Sequence, residues 1–368
     1  MTKVQKTKGQ GTKAPHKRRA HKRVLTNPKR IIFIRATIVH EKEYLKLNTI
    51  SHRETYNKTT LSPCLANVLF EYVGSKASFE AITQHNIKQN INLTVVKVVV
   101  IVFGGTASEF LNIAPILIGK ITKIVINDKN PSITNLYTSI RDNKEDVIAE
   151  VKKIRNDIDE KFKDTKAKLK DYQKHYRKLV EELNNLEKNG TLGVRRAALF
   201  ITIMNATFGG NYSFKNDISK VSISYDIKKY ERFNIIEKIE MFSFYMQQFT
   251  ITIETEDFGI VMEKYDSKNA LFFIDAPYLK QDDIHLVSTA VTYGNPDFPH
   301  KRCIDMTRNL EGQFIYHNYR NKAQEAMFEN CKNIEMVEYK KPTNNAKSVN
   351  GKKKMSVEVI YFSNRVEA

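Results

Sequence analysis

Cysteine is scarce: Cys64, Cys303 and Cys331 are the three in 368 residues, and they stand far apart. That spacing excludes a disulfide framework and a zinc knuckle. It points to a reducing, intracellular compartment, cytoplasmic or nucleoid-associated in a prokaryote and nuclear in a eukaryote. Long apolar runs are missing as well. The longest, Val95 to Phe103, is broken by Lys97 and is too short to span a bilayer, so no membrane partner is expected. The basic N-terminus has no apolar segment behind it, unlike a secretory signal. Acidic residues are absent from the first 30 positions, which carry eleven Lys or Arg. Glycine and proline are absent between Pro131 and Gly190, so nothing there interrupts helical structure.

What is present is a globular composition, 41% hydrophobic and 10% aromatic, sufficient for a substantial core at this length. Lys and Arg number 60 against 41 Asp and Glu, a formal net charge of +19. Such an excess favours a polyanionic partner, because each neutralised phosphate releases condensed counterions. The charge is also clustered: Lys17, Arg18, Arg19, Lys22 and Arg23 lie within His16–Arg23. Residues 1–30 cannot bury enough apolar surface to fold alone. They are expected to form a disordered arm that tracks nucleic-acid phosphates, without distinguishing DNA from RNA.

From about Leu61 the texture is globular. Val95–Phe103 reads as a central strand, followed by Gly104-Gly105, and Ile121–Ile126 as a second. A helix is expected from Pro131, a residue suited to a first helical turn. Strand, Gly turn, helix and strand begin a βαβ unit. Leu169, Tyr172, Tyr176, Leu179, Leu183 and Leu186 recur in steps of three and four, predicting a long amphipathic helix or helix pair. Residues 145–190 are heavily charged on the other faces, open to self-association or a partner. A second helix is expected from Arg195 to about Asn205, then a turn at Phe208–Asn211. Strands return at Gln248–Ile253, Ala270–Ile274, Gly312–His317 and Val357–Phe362. The pattern predicts an α/β fold whose sheet draws on both ends of the chain. The helices between form an insertion over residues 145–245, splitting the sheet domain into 31–144 and 246–368.

One tetrad stands out in this frame. Asp275-Ala276-Pro277-Tyr278 closes the buried run Leu271–Ile274, at the strand end where α/β sheets bind ligands. Asp275 and the Ala276 carbonyl can each accept a hydrogen bond from an exocyclic amine, and the Tyr278 ring can stack on a heterocycle. Upstream, Phe103 and Gly105 belong to a turn that lets backbone approach a ligand. Asp128 ends the next strand about 20 residues on, where an acid commonly binds ribose hydroxyls. Asp257 could accept from an adenine amino group, with Phe258 covering the ring. Together these outline a nucleoside pocket.

Taken in order, Tyr72–Lys76, Phe103–Ala107, Ile126–Pro131, Glu256–Phe258 and Asp275–Tyr278 resemble the Dam-type DNA adenine-N6 methyltransferases in their alpha arrangement. The likeness covers roughly residues 67 to 364. It implies a Rossmann-like class I methyltransferase fold with a mostly parallel sheet and a helical target-recognition insertion. It implies S-adenosylmethionine as cofactor, with Tyr72, Gly74 and Lys76 at its methionine end beside Phe103 and Gly105. Asp128 would hold its ribose, and Asp257 and Phe258 its adenine, with Asp275 also near it. It implies an adenine flipped from DNA and clamped by Asp275, Ala276, Pro277 and Tyr278. Asn205, Asn211, Tyr212 and Lys215 would lie near the nucleic acid. Position 276 is Ala where the family has Pro, and Ile101-Val102 stands in place of its acid-Pro pair. No Arg follows Gly210. A degenerate methyltransferase-fold binding protein, and an RNA adenine methyltransferase, are the competing readings.

Overall fold

Three short apolar runs make the centre of the parallel part of the sheet. In a computed structural model, β2 (Val98–Ile101), β3 (Lys123–Asn127) and β5 (Ala270–Ile274) lie side by side. Val99, Ile124 and Leu271 are in register and fully buried. Strands covered on both faces read as continuous hydrophobic runs instead of alternating ones, which is why these are conspicuous in the sequence. The structure describes residues 38–39, 68–70, 76, 79–162, 169–207, 234–279, 298–329, 331, 334–342 and 355–363.

β4 (Thr250–Glu254) flanks β3, and β6 (Gln313–Tyr319) flanks β5, all parallel. β8 (Met355–Ser363) pairs antiparallel with β6 and with β7 (Ile334–Pro342), beyond which lies the two-residue β1 (Ile38–Val39). The order is β1-β7-β8-β6-β5-β2-β3-β4. From β2 the chain builds outward to β3 and β4. It then returns to place β5 and β6 on the other side of β2. The topological switch point therefore falls between β2 and β5, and a crevice opens there at the strands' C-terminal ends. β7 is not evident from the sequence, since its alternation carries Glu and Lys residues and ends in Pro.

Among the described residues the helices are α1 (Glu80–Asn90), α2 (Ser108–Leu117), α3 (Pro131–Lys161), α4 (Leu169–Lys188), α5 (Val194–Ala206), α6 (Ile235–Met246), α7 (Phe258–Tyr265), α8 (His300–Asn309) and α9 (Lys322–Phe328). α3 starts as expected: Asn130 caps it by accepting from the Ser132 N–H at 2.9 Å, and Pro131 occupies the first turn. Asn143 departs from helical geometry (φ −141°, ψ 44°), so α3 is two helical pieces joined at a kink. Arg195 of α5 ties the bundle together, binding Glu150 of α3 at 2.6 Å and Glu182 of α4 at 2.7 Å.

The described residues all fall within one compact unit. Val147 and Val151 of α3 and Tyr176 and Leu183 of α4 are buried in the same cluster as Ile124 and Ile126 of β3. The helices of the expected insertion thus share a core with the sheet. The opposite sheet face packs on α7 and α8 through Val261, Met262, Cys303 and Ile304. Among the described residues, no helix is long and apolar enough to cross a membrane. The expected basic arm lies outside the described residues.

Candidate active site

The turn after β2 is shaped by its glycines. The Gly104 N–H donates to the Asn127 carbonyl at 2.6 Å, and a Cβ there would sit 3.1 Å from both Ile126 and Tyr137 side chains. Gly105 has φ +49°, the left-handed region that favours glycine. Its N–H donates to Asp128 Oδ2 at 2.8 Å, and the Asn130 N–H donates to Asp128 Oδ1 at 2.9 Å. Burial raises the Asp128 pKa, while the Asn130 and Gly105 N–H groups pull it back down. Asp128 thus fixes the turn with one lone-pair direction on each oxygen, and each oxygen keeps a second.

Asn127, at the end of β3, links three strand ends. Its amide donates to the Val102 carbonyl at 3.0 Å, and it exchanges two hydrogen bonds with the Glu256 backbone. That fixes the segment leading into α7. Asp257 caps α7, accepting from the Gly259 N–H at 3.0 Å, and binds Arg302 at 2.9 Å. The Arg302 guanidinium stands 4.8 Å from the Phe258 ring centre. Phe103, Phe258 and Phe298 form an aromatic wall, with ring centres 5.4 to 5.9 Å apart.

The tetrad follows β5 directly. Lys76 reaches Asp275, its Nζ donating to both carboxylate oxygens at 2.7 and 2.8 Å. The same Nζ lies 4.5 Å from the Tyr278 ring centre. Lys76 is 2% exposed. Burial alone would lower its pKa, but the charges of Asp275 and Glu358 outweigh that and raise it, so it stays an ammonium. Tyr278 is held from two sides: its hydroxyl donates to Glu358 at 2.9 Å, and Tyr319 packs edge-on at 4.5 Å. Burial, then the Glu358 charge, pushes the Tyr278 pKa well up. The Leu279 N–H donates to Asn318 at 2.9 Å, fixing the chain as it leaves the tetrad.

A cavity of about 590 Å³ joins these parts. Phe103, Gly105, Asp128, Asp257, Phe258 and the whole tetrad line it, whereas Lys76 is not part of the lining and meets it through Asp275. Tyr72, Gly74, Lys17, Arg18, Arg19, Lys22, Arg23, Asn211, Tyr212 and Lys215 lie outside the described residues. Asn205, expected near nucleic acid, is fully buried in α5, with its amide donating to the Ile201 carbonyl. Sequence reasoning missed Asn127, Glu109, Arg302, Phe298, His317 and Glu358. A lone acid in the otherwise uncharged stretch Ser108–Leu117 was a usable signal for Glu109. So was the Glu358 carboxylate inside an apolar strand. Arg302 gave none, since its partner Asp257 is remote in sequence.

The chemistry of the lining suits a nucleoside with a charged tail: acids at two strand ends, aromatic rings for a base, and a glycine turn offering backbone. With a parallel sheet switching between β2 and β5, and an antiparallel strand inserted next to β6, the fold is that of the Rossmann-like class I methyltransferases. More particularly, residues 72–343 match the D12 class N6 adenine-specific DNA methyltransferase family, and the chain belongs to it. It is therefore an enzyme that uses S-adenosylmethionine to methylate N6 of adenine in DNA. Comparison with curated proteins gives no match.

Proposed function

We propose that Asp275-Ala276-Pro277-Tyr278 clamps an adenine extruded from the duplex, beside a cofactor bound across the ends of β2, β3 and β4. The observation that carries this reading is the double contact of the Asp275 carboxylate with the Lys76 ammonium. A group already presenting both oxygens to N–H donors at a switch point is preorganised to accept them from a substrate amine. The adenine N6 is otherwise inside the base stack, so the base has to leave it.

In this reading Lys76 withdraws from Asp275 as the base enters. Asp275 and the Ala276 carbonyl accept the two N6 hydrogens, which draws the nitrogen lone pair out of ring conjugation. Tyr278, fixed by Glu358 and Tyr319, packs against the base face. S-adenosylmethionine supplies a methyl group on a positively charged sulfur, so the protein's task is positioning and charge stabilisation. Asp128 holds the ribose with its free lone pairs. Asp257 faces the cofactor's adenine amine once Arg302 yields, and Phe258 covers that ring. Phe103 and Gly105, with Tyr72, Gly74 and Lys76, border the methionine end. DNA is gripped by the arm through Lys17, Arg18, Arg19, Lys22 and Arg23. Target choice falls to the segment after α5, where Asn211, Tyr212 and Lys215 lie. Asn205, being internal, supports the base of that segment.

The test is Asp275→Ala, assayed for transfer of a labelled methyl group to duplex DNA and for DNA affinity. Transfer should fall by roughly three orders of magnitude or more, with affinity nearly unchanged. Retained turnover would overturn the clamp, and equal transfer to single-stranded RNA would overturn the DNA preference.

A further inference from the structure

Glu109 holds the second position of α2 and is 3% exposed. It lines the cavity, yet neither carboxyl oxygen has a hydrogen-bond partner among the described residues. Among the described residues, three charged or titratable groups face it. Lys76 lies before α1 and Asp275 after β5. His317 of β6 has its Nε2 3.9 Å from the Glu109 carboxyl. His317 offers no cation, because burial, with the Lys76 charge adding, pushes its pKa far down. Burial, reinforced by the Asp275 charge and opposed by Lys76, pushes Glu109 up to about 8.

Every other cavity-lining acid is accounted for. Asp128 accepts from Gly105 and Asn130, and Asp257 from Gly259 and Arg302. Asp275 is held by Lys76, Glu187 accepts from Ser132, and Glu256 is exposed to solvent. The end of β2 offers no acid, since Ile101 and Val102 are apolar and buried. A buried acid without a donor is costly, and a ligand that brings N–H donors removes the cost. The sulfonium has no N–H to give, whereas the amino-acid end of S-adenosylmethionine carries an ammonium with three.

We infer that Glu109 is the acceptor for the ammonium group of the cofactor's amino-acid end, releasing its own proton to solvent as the ammonium docks. This rests on the cofactor reading of the cavity. The position, in the first turn of α2 and soon after the glycine turn, places the carboxyl beside the backbone expected at the methionine end.

Calorimetric titration of the full chain with two probes tests it. S-adenosylhomocysteine keeps the ammonium end, and 5′-methylthioadenosine lacks it. Glu109→Gln should weaken S-adenosylhomocysteine by roughly ten- to a hundredfold, the effect of losing one charged hydrogen bond. Affinity for 5′-methylthioadenosine should stay within about twofold. Unchanged S-adenosylhomocysteine binding in the variant overturns the assignment, as does an equal loss for both ligands. Titrations of the wild-type protein at pH 7 in buffers of different ionisation enthalpy give a second readout, independent of the variant's folding. S-adenosylhomocysteine should release close to one proton more than 5′-methylthioadenosine, by roughly the fraction of Glu109 protonated beforehand. Equal proton release overturns the inference. Failure of the wild type to bind S-adenosylhomocysteine at all would sink the cofactor site with it.

Discussion

Lys76 and Asp275 depend on one another for their placement. Lys76 is 2% exposed and the Asp275 side chain 19%, and a cation buried that deeply is tolerable only beside its counter-charge. Removing one partner leaves the other uncompensated, which costs on the order of 3 kcal/mol. Lys76→Met should therefore destabilise the protein by about that amount in urea unfolding, and Lys76→Met with Asp275→Asn should recover part of it. Strictly additive losses would show that the pair is not coupled. At this scale the sequence revealed residues that end apolar runs, such as Asp275 and Asp128. It did not reveal their contacts, because Lys76 meets Asp275 across 199 positions of chain. Glu109, His317 and Glu358 were visible only as isolated polar residues in apolar stretches. Nothing local said whether each was strained, paired or waiting for a ligand.

Among the elements, the buried strands were the most legible. Ala270–Ile274 was expected with those bounds and found with them, and the helix start expected from Pro131 is found there. The weakly patterned elements escaped notice, notably α1, with its few apolar residues, and α8, which is mostly polar. α8 opens with His300, 1% exposed and 4.7 Å from the Phe298 ring, with no hydrogen-bond partner for either ring nitrogen among the described residues. Burial pushes its pKa from the ordinary 6.5 down to about 4. Between those values the unfolded chain holds the proton and the native protein does not. His300 therefore contributes its full stability above pH 6.5, and loses it as pH falls toward 4. His300→Phe removes this titration and keeps an aromatic ring against Phe298. Its melting temperature should fall less than the wild type's between pH 6.5 and 4; parallel curves would show that His300 does not titrate in that window.

For the whole molecule, the amphipathic stripe of Tyr172, Tyr176, Leu179 and Leu183 foretold helices but not what they cover. The structure buries the stripe in the cluster that includes β3, a long-range arrangement that no local pattern encodes. Net charge was legible from composition alone, and it carries a prediction. Deleting residues 1–30, with their eleven Lys and Arg, should weaken DNA binding. It should also flatten the fall of log affinity with log salt, by about 0.9 for each phosphate that the arm neutralises. An unchanged slope would mean that the arm does not touch the backbone. A field set by +19 formal charges draws all polyanions alike and cannot tell one base from another. On the clamp proposed above, discrimination of the target base arises where Asp275 already holds an ammonium. A base dislodges that occupant only by returning N–H donors of its own. Thymine and uracil carry a carbonyl where adenine carries its amine, so to them the resting enzyme is a lock whose key is already in place. Their rejection then needs no steric barrier, because it is an outbidding that they lose.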